Sequence, residues 1–325
     1  MTWEERVEQV RLRGFTNRQA AFLATVMLHG GVCVGRQYGA FTGLAHGRPT
    51  CLFFDQLVAD GYATARRCGH PRSRIFHVQH KGLYRAIGEE NSRYRRPTTI
   101  GRAIERLMVL DGVLGARDVT WLATETEKVT YFTRHHRIAH HDLPSLTFRS
   151  EDRETVRHFP EKLPIGLDAD GRRHVFLYLL TRDIPTDFRD FLERHAELLR
   201  LLPAWTIRLL VPRHKVDAVR LYERAVHEQL ASPLRVSLVD DLRWYFRARQ
   251  DPTRRDDERF DHAWLAFAPP RFQALYRGWR ERGDAVLDGT LSSTLADALA
   301  RGAGAFETQM LPHHYGHFYG LVSTA

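Results

Sequence analysis

The sequence predicts an α/β protein, and three observations predict it. Short amphipathic helices occupy the N-terminal stretch and give way to a basic hairpin. Apolar strand candidates then alternate with helix-length segments, and from Pro252 onward the pattern is mostly helical. At 325 residues about two domains are expected. The divisions read as 1–90 for the helical and hairpin unit, 91–143 for a connector helix and strand, and 144–325 for an α/β domain with a helical C-terminal extension.

Thr16 and Gln19 have the spacing of a capping box, and Ala20, Leu23, Ala24 and Met27 follow at helical intervals until Gly30-Gly31. A second helix is expected over Gly35–Thr42. A third is expected from Pro49, where a proline costs no hydrogen bond, with Leu52, Phe53, Leu57 and Val58 inward and a stop at Asp60-Gly61. Residues Tyr62 to Arg67 and Arg74 to Gln79 read as two strands around a turn holding Gly69, Pro71 and Ser73. Three helices followed by a basic hairpin describe a winged helix-turn-helix, closed by a helix near Lys81-Gly82-Leu83.

Beyond the basic connector Asn91 to Pro97, Ile100, Ile104, Leu107, Met108 and Leu110 form one helix face that Asp111-Gly112 is expected to end. Val129 to Thr133 reads as a strand. Further strands are expected at Val175–Thr181, Trp205–Val211 and Leu234–Val239, separated by helices at Thr186–Leu202 and Arg213–Leu230, which favours a mixed or parallel sheet.

The net charge of +9 is unevenly placed. Between Gly61 and Leu110, arginines and a lysine at positions including 66, 67, 72, 74, 81, 85, 93, 95, 96, 102 and 106 are opposed only by Glu89, Glu90 and Glu105. A polyanionic partner needs clustered cations, so double-stranded DNA is the expected partner. In a helix-turn-helix the last helix reads the major groove while flanking groups hold phosphates. The candidate DNA-contacting residues are therefore Arg36 and Gln37 of the second helix, Arg48, Thr50 and Gln56 of the third, Arg66, Arg67, Arg72 and Arg74 of the hairpin, and Lys81 after it. Asp55 within the third helix weighs against strong base reading, and a solvated turn over a protein-binding module is the competing interpretation.

The run Thr16-Asn17-Arg18-Gln19, the segment Leu52–Gly61 and the basic hairpin resemble the N-terminal winged helix of the replication-relaxation family, which is associated with plasmids and integrative elements. The resemblance covers about the first 110 residues. It implies that the second half looks like a PD-(D/E)xK nuclease core with metal-binding carboxylates on a hairpin. In the corresponding stretch Ile165 occupies the place of the first acid, and Tyr178 and Leu180 occupy the places of the second acid and of the residue that follows its strand spacing; such side chains can neither hold a hard cation nor activate water. The resemblance thus implies a degenerate nuclease-like shell, used for dimerisation or a protein partner. A register slip would instead offer Asp168 or Asp170 to a metal-dependent nuclease, although acids just before Gly171 are ordinary in a hairpin turn.

Other constellations carry less. The pairs His135-His136, His140-His141 and His313-His314 with His317 are read as solvated or core histidines, so no metal is expected. Gly302-Ala303-Gly304 lacks the pattern of a phosphate loop, so no nucleotide cofactor is expected. His77-Val78-Gln79-His80 lacks the histidine spacing of a relaxase, and Tyr276 and Tyr315 lack recognisable partners as nucleophiles. Cys33, Cys51 and Cys68 have neither disulfide nor zinc spacing. With no apolar run near 20 residues, the expectation is a cytoplasmic homodimer that is not an enzyme and does not enter a membrane.

Overall fold

Capping chemistry sets the first helices. Thr2 accepts a hydrogen bond from the Glu5 N–H while Glu5 accepts from the Thr2 N–H, which starts α1 (Trp3–Arg11), a helix the sequence reading omits. Thr16 and Gln19 close the same reciprocal box at α2 (Asn17–His29). Phe22, Leu23, Val26 and Met27 are fully buried, so α2 is apolar all round and forms the centre of the N-terminal unit. The computed structural model describes residues 1–43, 47–68, 74–116, 118–150, 153–232, 234–251, 253, 258–289 and 294–318.

After α2 the chain turns through Gly31, whose φ of +72° and close approach to the Tyr94 carbonyl admit no side chain. There follow β1 (Val32–Val34), α3 (Gly35–Thr42), α4 (Arg48–Ala59), β2 (Ala63–Arg67) and β3 (Arg74–Val78). The strands form an antiparallel sheet in the order β1-β3-β2, with Ala63 opposite Val78 and Arg67 opposite Arg74. The inward stripe of α4 is Thr50, Phe53, Phe54 and Leu57. This corrects the expected stripe, since Leu52 is 58% exposed and Val58 also faces solvent. Helix α5 (Lys81–Ala86) closes the unit.

Helix α6 (Ile100–Gly115) joins the two halves. It does not stop at Asp111-Gly112 as expected, because Asp111 is held by partners on both sides and Gly112 lets the helix lie directly over Leu210. One side of α6 packs with Val32, Val34 and Ile75 of the small sheet, and the other with Val175, Leu177 and Leu179 of the larger one.

That larger sheet has the order β10-β9-β8-β7-β4, from β4 (Thr120–Leu122), β7 (Ile165–Leu167), β8 (Arg173–Leu179), β9 (Ala204–Val211) and β10 (Gly304–Met310). Strands β4, β7 and β8 are antiparallel neighbours, whereas β8, β9 and β10 run parallel. Helix α8 (Thr186–Leu201) makes the first crossover. The second crossover contains α9 (Val219–Val226), α10 (Val236–Gln250), α11 (Glu258–Ala266), α12 (Pro270–Arg282), α13 (Ala285–Gly289) and α14 (Thr294–Ala300). A separate hairpin, β5 (Ser145–Ser150) with β6 (Arg153–His158), precedes β7.

Three strand assignments change. Val129–Thr133 is helical, within α7 (Glu125–Thr130) and a π-helical turn over Tyr131–His135, because Thr124 and Glu127 form a capping box that outweighs the β-branched residues. Leu234–Val239 enters α10, whose buried Val239, Leu242, Tyr245 and Phe246 have helical spacing. Conversely, the C-terminal part expected to be helical supplies β10.

Burial sets an acid limit on this core. The fully buried imidazoles of His29 and His195 are pushed down to about 4, from an ordinary 6.5. Unfolding therefore takes up protons between about pH 4 and 6.5, and the stability from their neutral forms is present above 6.5 and lost as pH falls through 4. Glu193 acts oppositely, because burial raises its carboxyl to about 7 from 4.5 and keeps it protonated only in the folded chain. These groups together are expected to lower the unfolding free energy by about 1 kcal/mol from pH 6 to pH 5. Glu193→Gln removes the opposing proton and is expected to steepen that loss to about 2 kcal/mol, read from urea midpoints. A slope left unchanged by the substitution would contradict the assignment.

Candidate nucleic-acid interface

The start of α4 is open to solvent. Gly47 caps the helix in an extended conformation, Pro49 sits in its first turn, and Arg48, Cys51, Leu52, Asp55 and Gln56 lie on the exposed side. Thr50 is buried at 2% exposure on the stripe that packs with Phe53 and Phe54, so it is withdrawn from any surface, contrary to expectation. Gln56 donates to Asp60 at 2.9 Å.

The hairpin divides its cations into two kinds. Arg66 and Arg67 lie on the exposed part of β2 and have no ion-pair partner among the described residues. Arg74 instead bonds Asp55 at 2.8 Å and lies over the Phe76 ring, which ties the hairpin to α4. Arg72 and the turn around Gly69, Pro71 and Ser73 lie outside the described residues. Lys81 and Arg85 both reach Glu90 at 2.9 Å, and their hydrogen bonds, Arg85 foremost, hold that carboxyl down to about 2.

Arg36 and Gln37 do a different job from the one expected of them. Asp111, whose side chain is 5% exposed, accepts from Arg36 through both oxygens, at 2.7 and 2.6 Å. It also accepts from Gln37 at 2.9 Å and from the Tyr315 hydroxyl. Gln37 is fully buried and further binds the Leu107 carbonyl and the Val34 N–H. These contacts couple α3, α6 and the chain after β10, and they withdraw both residues from the candidate DNA-contacting set. Burial pushes the Tyr315 phenol above its ordinary range, with Asp111 adding to the effect, so this tyrosine is a buried donor.

A second basic surface lies at the junction of the two halves. A cleft of about 400 Å³ is lined by Arg93, Arg96, Lys128, Arg157 and Lys162, opposed by Glu89 and Glu125. Burial lowers Lys128 to about 8, and its ammonium donates to the Leu163 carbonyl at 2.6 Å. An adjoining cleft shares Arg93, Tyr94 and Lys162 and adds Arg102 and Arg106. The arginines between 93 and 106 are visible as a charge run in the sequence, whereas Lys128, Arg157 and Lys162 reach the cleft only through folding.

No family model matches the chain, and no curated protein and no solved structure was found similar to it.

The remaining candidates sit in ordinary structural roles. Ile165, Tyr178 and Leu180 are buried together in the core beneath α8. Asp168 accepts from the backbone N–H of Arg172 and Arg173 at 2.8 and 3.1 Å, which stabilises the turn at Gly171. His77 is bonded to the Tyr94 carbonyl at 2.8 Å. His314 lies 3.2 Å from Arg213, and His317 is outside the described side chains.

The division between internal and exposed arginines is measurable. Arg36→Ala leaves Asp111 buried without its ion-pair partner and is expected to cost about 3–5 kcal/mol of stability. Arg48→Ala at the open end of α4 is expected to stay within about 0.5 kcal/mol. Urea unfolding of both variants checks this, and equal costs would contradict it.

Proposed function

We propose that this chain is a DNA-binding protein that contacts duplex DNA through a winged helix-turn-helix built from α2, α3, α4 and the β2–β3 hairpin. The observation that supports this reading most is the exposure of Arg48 at the start of α4 together with Arg66 and Arg67 on β2, while neighbouring cations are neutralised by Asp55, Glu90 and Asp111. The element order α-β-α-α-β-β and the β1-β3-β2 sheet agree with it.

In this reading Arg48 meets a guanine edge, for which a bidentate contact discriminates by about 1–3 kcal/mol. Exposed Leu52 suits a thymine methyl group, and Arg66 and Arg67 hold phosphates. The ion pair with Arg74 partly neutralises the exposed carboxylate of Asp55 on that side. The Arg93 to Lys162 cleft serves as a second anion-attracting surface.

The second half is read as a nuclease-like shell without the acids of a nuclease, since Ile165, Tyr178 and Leu180 are core residues. It would pair two copies or receive a protein partner, in a regulator or accessory factor of a mobile element. Two-fold pairing suits a single module that covers few base pairs.

The test is fluorescence anisotropy with random duplex DNA across a salt series, for the native chain and the Arg48→Ala/Arg66→Ala/Arg67→Ala variant. Each lost phosphate contact reduces the log–log salt slope by about 0.9, so the variant, which loses the two phosphate-holding arginines, is expected to lose roughly 2 units of slope. No binding at low salt, or an unchanged slope, would overturn the reading.

A further inference from the structure

Two imidazoles and a phenol converge where the π-helical turn meets the start of β8. His174 Nε2 lies 3.2 Å from His136 Nε2 and 3.3 Å from the Tyr131 oxygen, and His136 Nε2 lies 3.2 Å from that same oxygen. Three donor atoms in such a triangle have the spacing of one face of a tetrahedron. Metal–nitrogen bonds of about 2.0–2.1 Å give a tetrahedral edge of about 3.3 Å.

The proton on His174 is directed away from this triangle. Its Nδ1 faces the Ala204 carbonyl at 3.3 Å, and a carbonyl only accepts, so Nδ1 carries the hydrogen and Nε2 presents its lone pair. Donation of the second ring N–H to a backbone carbonyl is how metal-binding imidazoles are oriented. His174 is fixed in the sheet opposite Leu167 and Trp205 and is fully buried, whereas His136 and Tyr131 are half-buried and leave an approach from solvent. The i→i+5 hydrogen bonding of the π turn brings Tyr131 and His136 together, and such turns recur at functional sites. Arg137, immediately after, has a φ of +56°, a strained backbone for a residue other than glycine.

We propose that His136, His174 and Tyr131 form a binding site for one divalent transition-metal ion of the class that imidazole favours, such as Zn²⁺ or Cu²⁺. Among the described residues no three of His, Cys, Asp and Glu gather in this way, and here the third donor is a phenol. On binding, His136 carries its ring proton on Nδ1, and the phenol proton passes to solvent, one proton released per ion. Without an ion the triangle is closed by the Tyr131 hydroxyl donating to His174 and by His136 donating to the Tyr131 oxygen. The proposal does not depend on DNA binding.

The experiment titrates the full chain, stripped with chelator, with Cu²⁺ and separately with Zn²⁺, by calorimetry and visible absorption. The expected result is one saturable equivalent per chain, with a phenolate-to-copper charge-transfer band that Tyr131→Phe abolishes. His136→Gln, at a half-exposed position, is expected to weaken both ions by at least about tenfold. His140→Gln/His141→Gln is expected to change nothing. Absence of saturable binding, or affinity unchanged in His136→Gln, would overturn the proposal and leave a metal-free hydrogen-bonded triangle.

Discussion

The buried carboxylate of Asp111 is the constraint on which the arrangement of the two halves depends. A carboxylate at 5% exposure persists only with charge and hydrogen bonds around it, and here Arg36, Gln37 and Tyr315 supply them from three separate parts of the chain. Because Asp111 lies in the last turns of α6, the same contacts that satisfy it fix α3 against that helix and bring the chain after β10 back to it. Gly112, one residue on, lets the helix approach Leu210 near the end of β9 in the larger sheet. The N-terminal unit is therefore joined to the α/β half by a packed helix and a buried polar network, and the 91–143 segment contributes strand β4 as well as α6.

Other contacts of the fold decide which cations face outward. A count of arginines between residues 61 and 110 treats them as equivalent, but the fold assigns them different surroundings. Arg74 stabilises the hairpin against α4 through Asp55, Lys81 and Arg85 share Glu90, and Arg106 donates to the Gly30 carbonyl. Arg48, Arg66 and Arg67 remain on the open side of α4 and β2. The proposed interface is thus smaller than the charge of the segment suggests, and its electrostatic contribution rests on few groups.

The local signals in the sequence were reliable where the structure is local. The Thr16 and Gln19 box, the proline in the first turn of α4 and the alternation of the β2–β3 hairpin each reflect contacts among near neighbours. The Thr124 and Glu127 box has the same spacing, and in the fold it overrides the strand-like β-branched residues that follow it. What was hidden depends on distant partners. Gln37 looked like a surface residue of the second helix because its acceptor lies 74 residues away, and the Tyr315 contact to Asp111 spans 204. Strand β10 was missed because it gains its place only by lying parallel to β9 after a long helical crossover. The inward stripe of α4 was displaced because Leu52 and Val58 are apolar yet exposed, and hydrophobicity alone does not distinguish them from Phe54.

The most direct measurement of the central claim is hydrogen–deuterium exchange of the full chain with and without a short duplex at low salt. The account predicts new protection at the start of α4 and along β2, with β10 and α8 unchanged. Protection confined to the cleft lined by Arg93, Arg157 and Lys162, or no protection anywhere, would contradict a winged-helix contact with DNA.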